Sequence, residues 1–171
     1  DPGNRLLWHK TVRRLDAEQY RDSLLVAMGS LIDHVGGPSI SGTAGRRSLY
    51  LRRLRNSADE MLATLDAPPG IVGTAKRDVT TTAPQSLMML NNSRIMGVAK
   101  KFASRVRSYV SNADPDADAL SYVRHAHRII AGLEIDAQTE QLLAPLAASG
   151  PEGEIDVCHV LLNSNAFLFI E

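Results

Sequence analysis

Twice in 171 residues an apolar helical run empties into small amide and hydroxyl side chains. Met89-Leu90-Asn91-Asn92-Ser93 does so mid-chain, and Leu161-Leu162-Asn163-Ser164-Asn165 repeats it near the end. Asn and Ser offer the backbone local hydrogen bonds that compete with a helix interior, so they stop one helix and cap the next. Two such phrases predict two helix–helix junctions, and they constrain architecture more than chemistry. A chain of this length holds about one domain and can bury a core without staples. Only 5% of its residues are aromatic, which suits a core packed from Leu, Ala and Met rather than a β-sandwich.

The remaining punctuation also reads as helical. Asn4 is placed to cap a short helix from Arg5 to about Val12. Asp16, with Gln19 as its reciprocal partner, opens the next, with Tyr20, Leu24, Met28, Leu31 and Ile32 on one face and Gly36-Gly37-Pro38 at its end. A mobile Gly/Ser/Thr loop is expected up to Gly45. Arg46–Arg55 alternates in a strand-like way around Leu49 and Leu51 and contains no acid. Ser57-Ala58-Asp59-Glu60 opens a short helix through Leu65, and Asp66-Ala67-Pro68-Pro69-Gly70 breaks it, leaving an irregular segment to Thr81. Thr82-Ala83-Pro84-Gln85 starts another helix. Beyond Asn92, an amphipathic helix carries Ile95, Ala99, Phe102, Ala103, Val106 and Val110 inward, with Arg94, Lys100, Lys101, Arg105 and Arg107 outward. Asp114-Pro115 is expected to start the next, ending at Gly132. Asp136 caps a further one, and the last holds Ile155, Cys158, Leu161 and Leu162, followed by an apolar tail expected to dock on the body. The predicted fold is therefore mainly α: a single irregular multi-helix bundle over residues 1–171, with at most a small strand pair near residues 46–55.

Charge excludes some partners. Nineteen basic and nineteen acidic residues cancel, so no global field draws the chain toward nucleic acid or lipid. The balance is uneven along the chain, with twelve basic and nine acidic residues in 1–86 against seven and ten in 87–171. No apolar run is long enough to span a bilayer. The first residues, Asp-Pro-Gly-Asn, read as part of a longer protein rather than a natural start.

No complete catalytic or metal motif is visible, and no cofactor is expected. Cys158-His159 is half of the haem-attachment Cys-x-x-Cys-His, with Ile155 at the first position; a core cysteine beside a surface histidine is the plainer reading. His125 and His127 sit about 200° apart around a helix and cannot share one ion. Asp114, Asp116 and Asp118 resemble the opening of a calcium loop but lack its later glycine and glutamate, which favours a helix start. Arg77 and Asp78, followed by Val79 and three threonines, form the densest polar loop. Its hydroxyls have backbone to satisfy, so a structural role is favoured. Arg46, Arg47, Arg52, Arg53 and Arg55, with Tyr50 as a stacking face, make the best ligand candidate, because guanidinium forks suit sulfate, phosphate and carboxylate. The favoured reading is plainer: the run shields an edge or pairs with a neighbouring domain.

Several blocks resemble a known family. Asn4-Arg5-Leu6-Leu7-Trp8 and Arg13-Arg14-Leu15-Asp16-Ala17-Glu18, followed by Arg46-Arg47-Ser48-Leu49-Tyr50-Leu51, Arg55-Asn56 and Ala63-Thr64-Leu65-Asp66, look like a bacterial C-terminal domain family of unknown function. Arg77-Asp78-Val79-Thr80-Thr81, Pro84-Gln85, Leu87 and the closing Leu161-Leu162-Asn163-Ser164-Asn165 with Phe167-Leu168 continue the resemblance. That family abounds in planctomycete-type bacteria, in large secreted proteins that also carry a cytochrome-c-like domain. The resemblance implies an extracytoplasmic, multidomain parent and supplies no catalytic residues. The leading expectation is a non-catalytic module that docks other domains of the same polypeptide. The alternatives are an anionic-polysaccharide-binding module using the arginines and a composite active site with an upstream domain using Arg77, Asp78 and the threonines. A large apolar patch beside the arginines favours docking, an open basic groove favours glycan, and a cleft gathering Arg77, Asp78 and Asp66 favours catalysis.

Overall fold

The computed structural model describes residues 1–54, 59–70 and 73–170. Among them are eight α-helices and one two-stranded antiparallel pair, as the mainly α expectation requires. The strands are β1 (Arg13–Arg14) and β2 (Phe169–Ile170), in register Arg13 to Ile170 and Arg14 to Phe169. The helices are α1 (Ala17–Ala27), α2 (Glu60–Thr64), α3 (Ala83–Asn91), α4 (Ser93–Ala113), α5 (Ala119–Ala131), α6 (Ala137–Ala147), α7 (Pro151–Leu162) and α8 (Asn165–Leu168).

The centre is α4. Its inward stripe of Ile95, Ala99, Phe102, Ala103, Val106 and Val110 is buried, as the 3.6-residue period predicts. α7 packs along it and brings Val157, Cys158, Leu161 and Leu162. α5 and α6 close the other side with Tyr122, Val123 and Leu143, while α1, α2 and α3 cover the remaining face. Arginines on α4 tie the layers together. Arg107 pairs with the buried Glu154 of α7, and Arg105 donates to the Val26 and Ala27 carbonyls at 2.6 and 2.7 Å, capping the open end of α1.

Both repeated phrases are helix junctions. Asn92 ends α3 and its side chain accepts from the Arg94 N–H at 2.8 Å to start α4. Asn163 and Ser164 separate α7 from α8. Predicted reciprocal caps form at Asp16/Gln19 and Thr82/Gln85. Asp59 caps α2 by accepting from the Leu62 N–H; Ser57 and Ala58, read as part of that cap, lie outside the described residues.

Four local expectations change. Residues 5–12 form turns rather than a helix, because Asn4 (φ 48°) and Leu7 (φ 54°) take left-handed backbone while the Asn4 amide donates to the His9 carbonyl. α1 stops at Ala27, well before Gly36, because Gly29 adopts φ 67° and turns the chain away. α5 starts after Asp118, which accepts from the Ser121 N–H at 2.8 Å, and Asp114 instead ends α4. The strand-like alternation at Arg46–Arg55 appears as a 3-10 turn over Ser48–Tyr50 flanked by isolated bridges, Ile32 with Arg46 and Ile40 with Leu51. The strand pair forms between the two ends of the chain, where the tail lies against residues that precede α1.

The contact between α6 and α7 allows no side chain at Gly153. A Cβ there would overlap the Leu146 carbonyl oxygen and the Ser149 hydroxyl. Alanine in a helix interior normally gains about 1 kcal/mol over glycine. Here Gly153→Ala is expected to reverse that sign and cost about 1–3 kcal/mol. A thermal melt above that of the parent would refute the close approach.

Candidate functional site

The arginine run is folded around its own loop. Arg46 donates to the His34, Gly36 and Pro38 carbonyls and lies over the Tyr50 ring, 4.0 Å from its centroid. The Tyr50 hydroxyl in turn accepts from the Gly36 N–H at 3.0 Å. Arg47 stands 3.8 Å from Asp22, largely exposed, and Arg52 reaches the Ser39 hydroxyl at 3.5 Å. Arg53 donates to Glu18 at 2.5 Å and to the Pro68 carbonyl at 2.7 Å. Arg55 lies outside the described residues. Arg77 joins Arg53 on the same carboxylate, 2.6 Å from Glu18 Oε2. Asp78 lies exposed on the following loop. The predicted binding residues thus fall into two separate groups, one on the 34–52 loop and one around Glu18. Burial alone would raise the Glu18 carboxyl, but the Arg77 hydrogen bond and the two guanidinium charges outweigh it and hold its pKa below the ordinary value.

The loop expected to be mobile is anchored by a residue that the sequence did not single out. Arg21 is 3% exposed and points from α1 into the turn of the loop. Its guanidinium donates to the Gly42, Ala44 and Arg46 carbonyls at 3.2, 2.6 and 2.9 Å, and to the Ser48 hydroxyl at 3.2 Å. Asp22 completes the arrangement by accepting from the Ser48 N–H and Oγ–H at 2.8 and 2.6 Å.

A second polar network surrounds Asp66, held at φ 65° just past α2. Arg14 donates to its carboxylate at 2.8 Å, as do the Thr80 N–H and Oγ–H at 2.8 Å and the Gln85 amide at 3.2 Å. Arg14 also donates to Gln85 Oε1 at 2.9 Å and to the Thr80 carbonyl. Gln85 therefore caps α3 and braces Asp66 together. Asp66 pairs with Arg14, and Arg77 pairs with Glu18. Every member of the network is paired, which marks a brace rather than a reactive site. No local pattern reveals it, because Arg14 lies 52 and 71 residues from Asp66 and Gln85 along the chain.

Burial would raise the Asp66 carboxyl, but the Thr80 and Arg14 hydrogen bonds prevail and its pKa is lowered. A lowered folded pKa means stability that is complete above the unfolded value and lost as pH falls through the folded one. Acid unfolding is expected to begin below the ordinary carboxylate range. Asp66→Asn, which keeps the tolerance for positive φ, should remove that part of the acid dependence. Parallel stability–pH curves for the two proteins below pH 4 would contradict this assignment.

The other chemistry-bearing residues are individually satisfied. Cys158 is buried, its thiol pushed up to about 12 by burial, and it meets the Tyr122 hydroxyl at 3.3 Å; such a thiol is not a nucleophile. His125, His127 and His159 each contact a backbone carbonyl, of Ser121, Leu133 and Met89. Among the described residues, no group of three or more His, Cys, Asp and Glu is placed to hold a metal ion. No described helix is long and apolar enough to cross a membrane.

The family model described as PSD1, protein of unknown function (DUF1553), matches residues 1–147. The chain belongs to that family. No curated protein and no solved structure matches it. The matched DUF1553 region holds the arginine loop, the Arg21 anchor and the Asp66 network. The second Leu-Asn phrase lies beyond it, although α7 and the tail complete the same core.

Proposed function

We propose that this DUF1553 chain is a non-catalytic module that docks other domains of a longer secreted polypeptide. The observation that carries this reading is apolar exposure beside tethered arginines. Ile32, Val35, Leu49 and Leu54 all face solvent, Val35 at 83% and Leu49 at 80%. Ile32 bridges Arg46 and Leu49 lies in the Ser48–Tyr50 turn, so these residues share the strap that Arg21 and Arg46 hold in shape. A rigid loop presenting large apolar side chains suits association, because little ordering entropy remains to be lost. Leu6, Leu7 and Trp8 add a second exposed apolar segment.

Internal commitment weighs against the alternatives. A polysaccharide needs free forks, and Arg46 and Arg53 spend theirs on carbonyls and Glu18. A composite active site needs Arg77 near Asp66, and the two belong to different ion pairs. The longer parent, its extracytoplasmic setting in planctomycete-type bacteria and its cytochrome-c-like companion rest on the block resemblance of the sequence.

Hydrogen exchange tests the proposal by comparing the isolated module with the same module in its parent polypeptide. Amides of 32–35 and 48–50 should exchange at least tenfold more slowly in the parent, about 1.4 kcal/mol of added protection. Replacing Ile32, Val35 and Leu49 by Ser should abolish that difference without lowering the module's own melting temperature. Equal exchange in both contexts, or retention of the module on a sulfated matrix that depends on Arg47 and Arg52, would replace docking by another role.

A further inference from the structure

We infer that the cleft between β1, α3 and the α7–α8 junction is a binding site for a neutral organic ligand with an apolar body and one hydrogen-bonding group. The two repeated phrases meet there, Met89 and Leu90 from one, Asn163 and Asn165 from the other. The cleft has a volume of about 310 Å³, roughly twice the engineered cavity of about 150 Å³ that holds benzene. Leu15, Leu65, Leu168 and Phe169 supply an apolar lining, and Asn165 lines it beside Asn163, whose amide donates to the His159 carbonyl at 2.8 Å. This is the composition of small-molecule pockets: mostly apolar walls with a few placed polar groups.

Two features define the ligand. Tyr20 lines the cleft and is 2% exposed, yet its hydroxyl has no hydrogen-bond partner among the described residues. A buried polar group without a partner is costly, and a ligand hydroxyl or carbonyl would complete it. Arg14 is the one ionisable cation among the described lining residues, and Asp66 already neutralises it at 2.8 Å. A charged ligand would enter without a counter-ion, so the site selects a neutral one. A phenol meets both demands, whether as a free aromatic alcohol or as a tyrosine side chain carried on a peptide.

Para-cresol, toluene and N-acetyltyrosinamide, titrated into the full chain and followed by amide chemical shifts, separate these cases. Para-cresol should bind saturably at millimolar concentration, about fivefold tighter than toluene, which lacks the hydroxyl. Tyr20→Phe should bring para-cresol down to the toluene level while the melting temperature stays equal or rises, since no internal bond is lost. Leu90→Trp, at a half-exposed rim position, should block all three probes. Tighter binding of N-acetyltyrosinamide than of para-cresol would support a peptide-borne phenol, and weaker binding would support a free one. Absence of saturable binding by either phenol, or a para-cresol to toluene ratio unchanged by Tyr20→Phe, would overturn the site.

Discussion

Arg21→Met is expected to cost about 3–5 kcal/mol, because it leaves the inward Ala44 and Arg46 carbonyls without their recorded donor and the Gly42 carbonyl with Arg94 alone. Methionine fills similar space with no N–H group, so Gly42, Ala44 and Arg46 lose bonds of 2.6–3.2 Å together. Against a domain stability of about 5–15 kcal/mol this is a large fraction. For a chain of this size it corresponds to a melting temperature roughly 6–20 °C lower. Arg21→Lys should recover less than half, since an ammonium keeps the charge but lacks the planar fork that spans several acceptors. The same substitutions should speed amide exchange across residues 42–48, where the anchor acts. A Met variant melting within two degrees of the parent would mean that water takes over the carbonyls at little cost.

Truncation after Asn163 is expected to have the larger effect. It deletes Phe167, buried and packed edge-on against Tyr20 at 5.7 Å, and exposes the ring beneath. It also removes the Leu168 carbonyl that accepts from the Leu15 N–H at 2.8 Å, and the whole of β2. Loss of the phenylalanine alone costs about 3–5 kcal/mol. The added loss of Leu168 packing and strand pairing brings the total near the whole stability of a domain. The truncated chain should lack a cooperative melt, and Phe167→Ala should retain one at lower temperature. A truncated chain that melts like the intact one would make the tail a linker.

Helices were legible where the signal was local. The capping pairs Asp16/Gln19 and Thr82/Gln85, the Asp136 cap and the apolar period of α4 act within one or two turns, so adjacent residues suffice to specify them. The Leu-Asn phrases worked for the same reason. Failures arose where distant groups competed with local preference. Arg46–Arg55 alternates like a strand, yet Asp22 and Arg21 draw Ser48 inward and the chain turns there. Residues 5–12 have a helical look but no buried surface to pack against, and Asn4 and Leu7 are free to take left-handed turns.

The arginine run shows the same division at the level of function. Sequence could identify a cluster of unpaired guanidinium groups, and charge alone made it the leading ligand candidate. Pairing depends on Glu18 and on carbonyls brought in from elsewhere, and these convert Arg46 and Arg53 into internal ties. The apolar residues between the arginines, Leu49 and Leu54, then become the exposed feature. Arg14, with partners more than fifty residues away, carried no local signal at all.

By itself the sequence determined the helical class, most helix starts, the central α4 stripe and the two junctions. Each depends on contacts within a few residues, which periodicity and capping encode directly. Tertiary structure decided which polar groups are free. Arg21 and Asp66 became braces, the Tyr20 hydroxyl was left without a hydrogen-bond partner among the described residues, and the two Leu-Asn phrases came together around one cleft. Those outcomes depend on long-range packing, which places groups by the shape of the whole core rather than by their neighbours in the chain.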